Sequence, residues 1–247
     1  MKEQLYEIPV NDAFDAGCEC SLCRMYHDLE RDAIEYTMGS SYMQEDVREM
    51  SDKAGFCPEH IRLMYDNGNR LGLALMLDTH YNRIIKEMKK RAEKGATAKG
   101  GLFAKKTEAG APVTQFIHDL EGTCFVCDYI NRVYPRYIDT ILYLWKTDDS
   151  FKEKFRGSKG FCVSHYAELF DAASEKFKAN ELDAFIDELN KVFFDNIDRV
   201  KEDIAWFIEK YDYRNKEQPW KNSKDALQRG VLKLDHVFVE EPEDIQK

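Results

Sequence analysis

Eight side chains in this sequence have the types and spacing to hold metal. Cys20 and Cys23 form one Cys-x-x-Cys pair, and Cys124 and Cys127 form a second. Each pair precedes a matching segment, Gly55-Phe56-Cys57-Pro58-Glu59-His60 in one case and Gly160-Phe161-Cys162-Val163-Ser164-His165 in the other. The step from the second cysteine of the pair to the third cysteine is 34 residues in the first copy and 35 in the second. Six of the seven cysteines and two of the six histidines thus fall into one pattern written twice, which reads as two Cys₃His sites, most simply for two zinc ions. Four such ligands complete a tetrahedron, whereas a hydrolytic zinc keeps a position for water. The ligand count therefore points to structural sites and assigns no catalytic residue. An iron–sulfur cluster and metal-free thiol chemistry are the alternatives.

Local chemistry supports the ligand set. A Cys-x-x-Cys pair brings two sulfurs to one ion when its second half begins a helix, and a helix N-terminus stabilises thiolates. Pro58 suits the first turn of a helix, where its missing amide loses no partner. Cys57 and His60, three apart, then share one face of that turn. Gly55 and Gly160 supply the freedom to turn sharply into each helix, with Phe56 and Phe161 expected to shield the sites. Ligation within each half closes a loop of about 40 residues and is entropically simpler than ligation across halves. Cys20, Cys23, Cys57 and His60 are thus expected around one ion, and Cys124, Cys127, Cys162 and His165 around the other, with an exchanged arrangement as the alternative. Cys18 has no mate in the second copy. It reads as incidental or, more sharply, as a reactive thiol or substitute ligand.

The elements that carry these residues read as helices. Apolar positions predict helices over Ser21 to Met38, Gln44 to Lys53, a segment opened by Pro58, and a longer one from Leu71 to Met88. The second half repeats the plan with a helix after Cys124 that contains Pro135, a short one from Asp148 to Phe155, and a ligand-bearing one over 162–173. Glu181 to Tyr211 follows without a break in the apolar stripe, and a short helix from Lys224 to Leu234 ends the chain. Asp198-Arg199-Val200 lines up with Asn82-Arg83-Ile84, which extends the repeat beyond the metal motifs. Residues 1–19 read as an irregular lead-in around Pro9-Val10-Asn11-Asp12. The expected architecture is all-α, in two similar halves: 1–94 with one metal site, a flexible basic linker over 95–111, and 112–247 with the other site and the C-terminal tail.

Composition narrows the function. Hydrophobic residues make up 43% of 247 and aromatics 13%, enough for a packed core. The formal net charge of −10 argues against a general nucleic-acid binder, although 83–106 is locally basic. The N-terminal residues lack the apolar run of a secretory signal, and no apolar run approaches the ~20 residues that span a bilayer. The expected setting is the cytoplasm, where thiols stay available to metal. His27, His80, His118 and His236 read as core or surface residues. There is no Gly-rich phosphate loop and no nucleophile elbow.

The paired Cys-x-x-Cys and Gly-Phe-Cys-x-x-His motifs resemble those of a bacterial family, mostly from anaerobic Gram-positive lineages, with no established activity. The tail from Asp212-Tyr213-Arg214 through Pro219-Trp220 to Ser223-Lys224-Asp225-Ala226 and Arg229 is also similar to that family's C-terminus. The resemblance implies a bacterial, cytoplasmic protein. The functional expectation is a zinc-binding helical scaffold or binding protein with a protein or small-molecule partner, and a metal- or thiol-dependent redox protein is the alternative.

Overall fold

A computed structural model describes residues 4–93 and 112–239. The expected linker, 95–111, lies outside the described residues. Those residues form eleven α-helices and no strand, so the all-α expectation holds. The helices are α1 (Gln4–Asp15), α2 (Ser21–Met38), α3 (Glu45–Ala54), α4 (Pro58–Asp66), α5 (Arg70–Ala92) and α6 (Pro112–Glu121). They continue with α7 (Phe125–Thr147), α8 (Asp149–Gly157), α9 (Val163–Lys176), α10 (Ala179–Glu209) and α11 (Ala226–Asp235).

Two helices were not expected. α1 replaces the irregular lead-in and runs through Pro9. A proline inside a helix costs about 3 kcal/mol, but Val10, Ala13 and Phe14 are buried at helical spacing. Burial of two large apolar side chains, about 1.5–3 kcal/mol each, offsets that cost. Phe14 packs edge-on to Phe151, with ring centroids 4.9 Å apart. α6 opens on Pro112, which lacks only an amide that would be unpaired there, and buries Phe116.

The chain divides into two compact units, residues 1–27 with 134–247 and residues 28–133. The division falls inside α2 and inside α7. The core of the first unit is aromatic. Phe151, Phe155, Phe161 and Phe185 are fully buried, and Trp145 stands edge-on to Phe185 at 5.0 Å. The 31-residue α10 carries Phe185, Leu189, Val192, Phe193 and Val200 into this core. The core of the second unit is more aliphatic, with Leu29, Ala33, Val47, Met64, Leu73, Met76, Val126 and Ile130 buried along with Phe116.

Candidate metal centres

All four ligand-bearing segments end at the start of a helix, and each uses the same two positions. Cys20, Cys57, Cys124 and Cys162 immediately precede α2, α4, α7 and α9. Cys23, His60, Cys127 and His165 are the third residues of those helices. At these N-termini the backbone amides have no intrahelical acceptor, and at α2, α7 and α9 one of them points towards the capping sulfur. The Cys23 amide donates to Cys20 Sγ at 3.4 Å, the Cys127 amide to Cys124 Sγ at 3.5 Å, and the His165 amide to Cys162 Sγ at 3.5 Å. Such bonds, with the positive end of the helix dipole, favour thiolate over thiol. Gly55 and Gly160 enter the α4 and α9 segments at φ of 65° and 78°, as the sharp turn requires. A Cβ on Gly160 would lie 3.0 Å from the Val192 carbonyl oxygen.

The eight residues converge as two quartets, each within a single unit. Cys20, Cys23, Cys162 and His165 form the first centre, and Cys57, His60, Cys124 and Cys127 the second; in each, the ligand atoms lie within 4.8 Å of one another. Ligation within each half, the simpler expectation, is therefore corrected: each Cys-x-x-Cys pair meets the Cys-x-x-His of the other half. Helix lengths give the physical reason. The 18 residues of α2 carry the chain about 27 Å from the helix start at Ser21, while the ten residues of α3 return it only about 15 Å. α7 and α8, at 23 and 9 residues, leave a larger shortfall of about 21 Å. Loop entropy favours local closure only for a flexible loop, and these loops are mostly rigid helix.

The donor atoms fit one tetrahedral ion in each centre. Zinc with sulfur at about 2.3 Å and nitrogen at about 2.0–2.1 Å gives tetrahedron edges of about 3.8 Å between sulfurs and about 3.5 Å from sulfur to nitrogen. In the first centre His165 Nδ1 lies 3.3, 3.3 and 3.1 Å from the sulfurs of Cys20, Cys23 and Cys162, and Cys23 Sγ lies 3.7 Å from Cys162 Sγ. In the second, His60 Nδ1 lies 3.2, 3.3 and 3.3 Å from Cys57, Cys124 and Cys127, and Cys57 Sγ lies 3.9 Å from Cys127 Sγ. None of the seven cysteines forms a disulfide.

Both histidines present Nδ1 and leave Nε2 for a carboxylate. His60 Nε2 is 3.1 Å from Glu30 Oε1, whereas His165 Nε2 is 3.9 Å from Glu168 Oε2. A carboxylate on the outer nitrogen fixes the imidazole tautomer and makes its other nitrogen a better ligand. Burial also pushes the Glu168 carboxyl up, against the opposing pull of His165. The Tyr134 hydroxyl donates to Glu168 at 3.4 Å.

Within each quartet the thiols and the imidazole shift one another's ionisation. Burial disfavours an imidazolium at His60, yet the neighbouring Cys124 and Glu30 raise its pKa to about 10. Burial likewise opposes ionisation of Cys124, but His60 and backbone amides lower it to about 6, while Cys127 is pushed up to about 12 by burial and by Cys124. In the first centre the Cys20 and Cys23 sulfurs hold Cys162 well below the usual thiol range, and Cys23 rises in response. Sharing of protons within each quartet thus favours ionisation of Cys124 and Cys162 and opposes it at Cys127 and Cys23. A divalent cation would relieve the remaining repulsion.

Around the first centre lies a set of groups that the sequence pattern does not mark. Lys233, on α11, is buried, and its ammonium donates to the carbonyls of Glu19 at 2.6 Å and Phe161 at 3.5 Å, and also to that of Lys159. Glu19 and Phe161 directly precede Cys20 and Cys162, so one side chain ties together the two segments that supply this centre. Glu19 Oε2 accepts from Arg199 at 2.5 Å and lies 3.5 Å from Lys233. Burial lowers the Lys233 pKa, and the Glu19 and Cys20 charges oppose that shift. The only sequence hint was the alignment of Arg199 with Arg83. Arg83 instead donates to the backbone carbonyl of Asp52 at 2.8 Å.

Cys18 lies outside both quartets, and its thiol donates to the Ala13 carbonyl at 3.6 Å. His80 bonds Asp52 and packs beside Gly55; His118 is exposed near Glu121; His236 ends α11 within 3.3 Å of Ser164 Oγ. Phe161 is fully buried, but Phe56 is only half-buried. Arg229 is more than a surface partner of Asp225: it also bonds Asp203 of α10 at 2.8 Å and the Asn222 carbonyl, pinning the tail.

No helix among the described residues is long and apolar enough to cross a membrane. No curated protein and no solved structure matches the chain. A family model does match, over residues 1–241, and by that match the chain belongs to DUF6062, a family of unknown function.

Proposed function

We propose that this is a zinc protein in which two Cys₃His centres hold helix N-termini together, and that it works as a binding or scaffold protein rather than through chemistry at the metal. The observation that carries this reading is the close fit of all eight donor atoms to two single-ion tetrahedra with no vacant position. Zinc would supply folding free energy, since ligands scattered over roughly 140 residues of sequence meet only in the folded chain. A multi-iron cluster would need its ligand atoms set farther apart than one ion does, which argues against the iron–sulfur alternative. In a reducing cytoplasm, where the cysteines would stay reduced and available to metal, the centres would stay loaded.

Elemental analysis of protein purified without added metal tests this. Two zinc per chain, a colourless solution and loss of helical circular dichroism on chelation are expected. Iron with a visible chromophore, or full helicity in metal-free protein, would overturn the proposal.

A further inference from the structure

The second unit contains a cavity of about 550 Å³ between α2, α3 and α7. This is in the size range of small-molecule sites. Its deepest residues, Ala33, Thr37, Val47 and Val126, are buried, and Thr37 spends its hydroxyl proton on the Ala33 carbonyl at 2.7 Å. No ionised side chain lies among these four. Phe125, Tyr36 and Tyr129 add flat apolar surface. The depth of this space is therefore suited to a planar apolar body and offers no hydrogen-bond donor to a polar one.

The exposed part of the lining is different. It carries two cations, Lys53 and Arg132, against one carboxylate, Asp128. Lys53 is engaged by Glu49 at 2.6 Å. Among the described residues Arg132 makes no ion pair, and its guanidinium faces the Tyr129 ring, 5.6 Å from the centroid. An exposed guanidinium resting on an aromatic face is well placed to accept a carboxylate in a paired, two-point contact.

The second metal centre holds one wall of the cavity in place. Thr123 and Phe125 flank Cys124; the Thr123 hydroxyl donates to the Ala54 carbonyl at 2.7 Å, and the Phe125 amide to the Gly55 carbonyl at 3.0 Å. The lining is thus tied to the segments that deliver Cys124 and Cys57.

We infer that this cavity is a binding site for a planar, largely apolar organic anion of the aromatic carboxylate class, with its ring system among Ala33, Val126 and Phe125 and its carboxylate on Arg132. The assignment does not depend on which metal fills the centres. Titration of the full-length, metal-loaded protein with 2-naphthoate, followed by calorimetry, tests it. Saturable one-to-one binding is expected, and the neutral analogue 2-naphthylmethanol should bind more weakly. Arg132→Glu changes an exposed residue, so the fold and the metal content should persist. It should weaken 2-naphthoate at least tenfold, as loss of a charge-assisted contact requires, while leaving the neutral analogue unchanged. Ala33→Phe, which fills the cavity, should abolish both. Absence of saturable 2-naphthoate binding, equal affinity for the two probes, or an Arg132→Glu variant that binds 2-naphthoate as well as the parent would each overturn the inference. Metal content measured on the same samples separates such a failure from failure of the zinc reading.

Discussion

At the first centre Cys20, Cys23 and Cys162 are all buried; at the second Cys57 and Cys127 are half-buried, and only His60 and Cys124 lie fully inside. The ligands are the same and come from the same helix positions, so the difference lies in the surroundings. Three thiolates, one neutral imidazole and a divalent ion leave a net charge of −1. Beside the first centre, Lys233 and Arg199 outweigh Glu19 and so offset the Glu168 carboxylate that faces His165, and the Lys233 ammonium also grips both ligand-bearing segments. At the second, Thr123 stands where Glu19 does, and the nearest charged group on the ligand shell is the Glu30 carboxylate. One donor set has been built into a sealed, charge-compensated centre and into a more open one. The second centre should exchange its metal faster.

Substitutions can break this comparison. The largest effect is expected from Cys20→Ser, which removes a fully buried ligand from a site where bound zinc would contribute on the order of 10 kcal/mol to folding. Zinc content should fall from two ions to one, with a separate, lower-temperature unfolding transition in calorimetry. Lys233→Met should come next. It leaves three buried backbone carbonyls without their ammonium donor and the Glu19 carboxylate with Arg199 alone, a loss of about 3 kcal/mol. Chelator competition should then show faster zinc loss from the first centre alone. Glu30→Gln should lower metal affinity at the second centre about tenfold or more. Glu168→Gln should do less at the first, because that carboxylate stands 3.9 Å from its histidine instead of 3.1 Å. The smallest effect is expected from Cys18→Ser, which should leave two zinc ions bound and thiol reactivity of the metal-loaded protein unchanged.

The eight ligands were legible because cysteine and histidine at these spacings have few other uses, and the helix starts because Cys-x-x-Cys, Pro58 and the apolar stripes all mark them. α2 and the long α10 follow directly from periodicity. α1 was missed because Pro9 and Asn11-Asp12 read as turn chemistry, while the three buried residues Val10, Ala13 and Phe14 that override them need a core to be counted. How the ligands divide between the centres was not legible either. Local spacing is nearly the same in both halves, so it cannot distinguish local closure from exchange; the decision lies in the unequal lengths of α2 and α3, and of α7 and α8. Lys233 carries no motif at all. Its role depends on α11 packing against residues more than 200 positions earlier in the chain.

Exchange of ligand pairs between the halves is the claim on which the comparison of the centres rests. Cadmium-113 substitution with proton–cadmium correlation spectroscopy tests it directly, since each metal resonance couples only to the β-protons of its own cysteines. One resonance should correlate with Cys20, Cys23 and Cys162, and the other with Cys57, Cys124 and Cys127. A resonance that joins Cys20 and Cys23 to Cys57 would contradict the account.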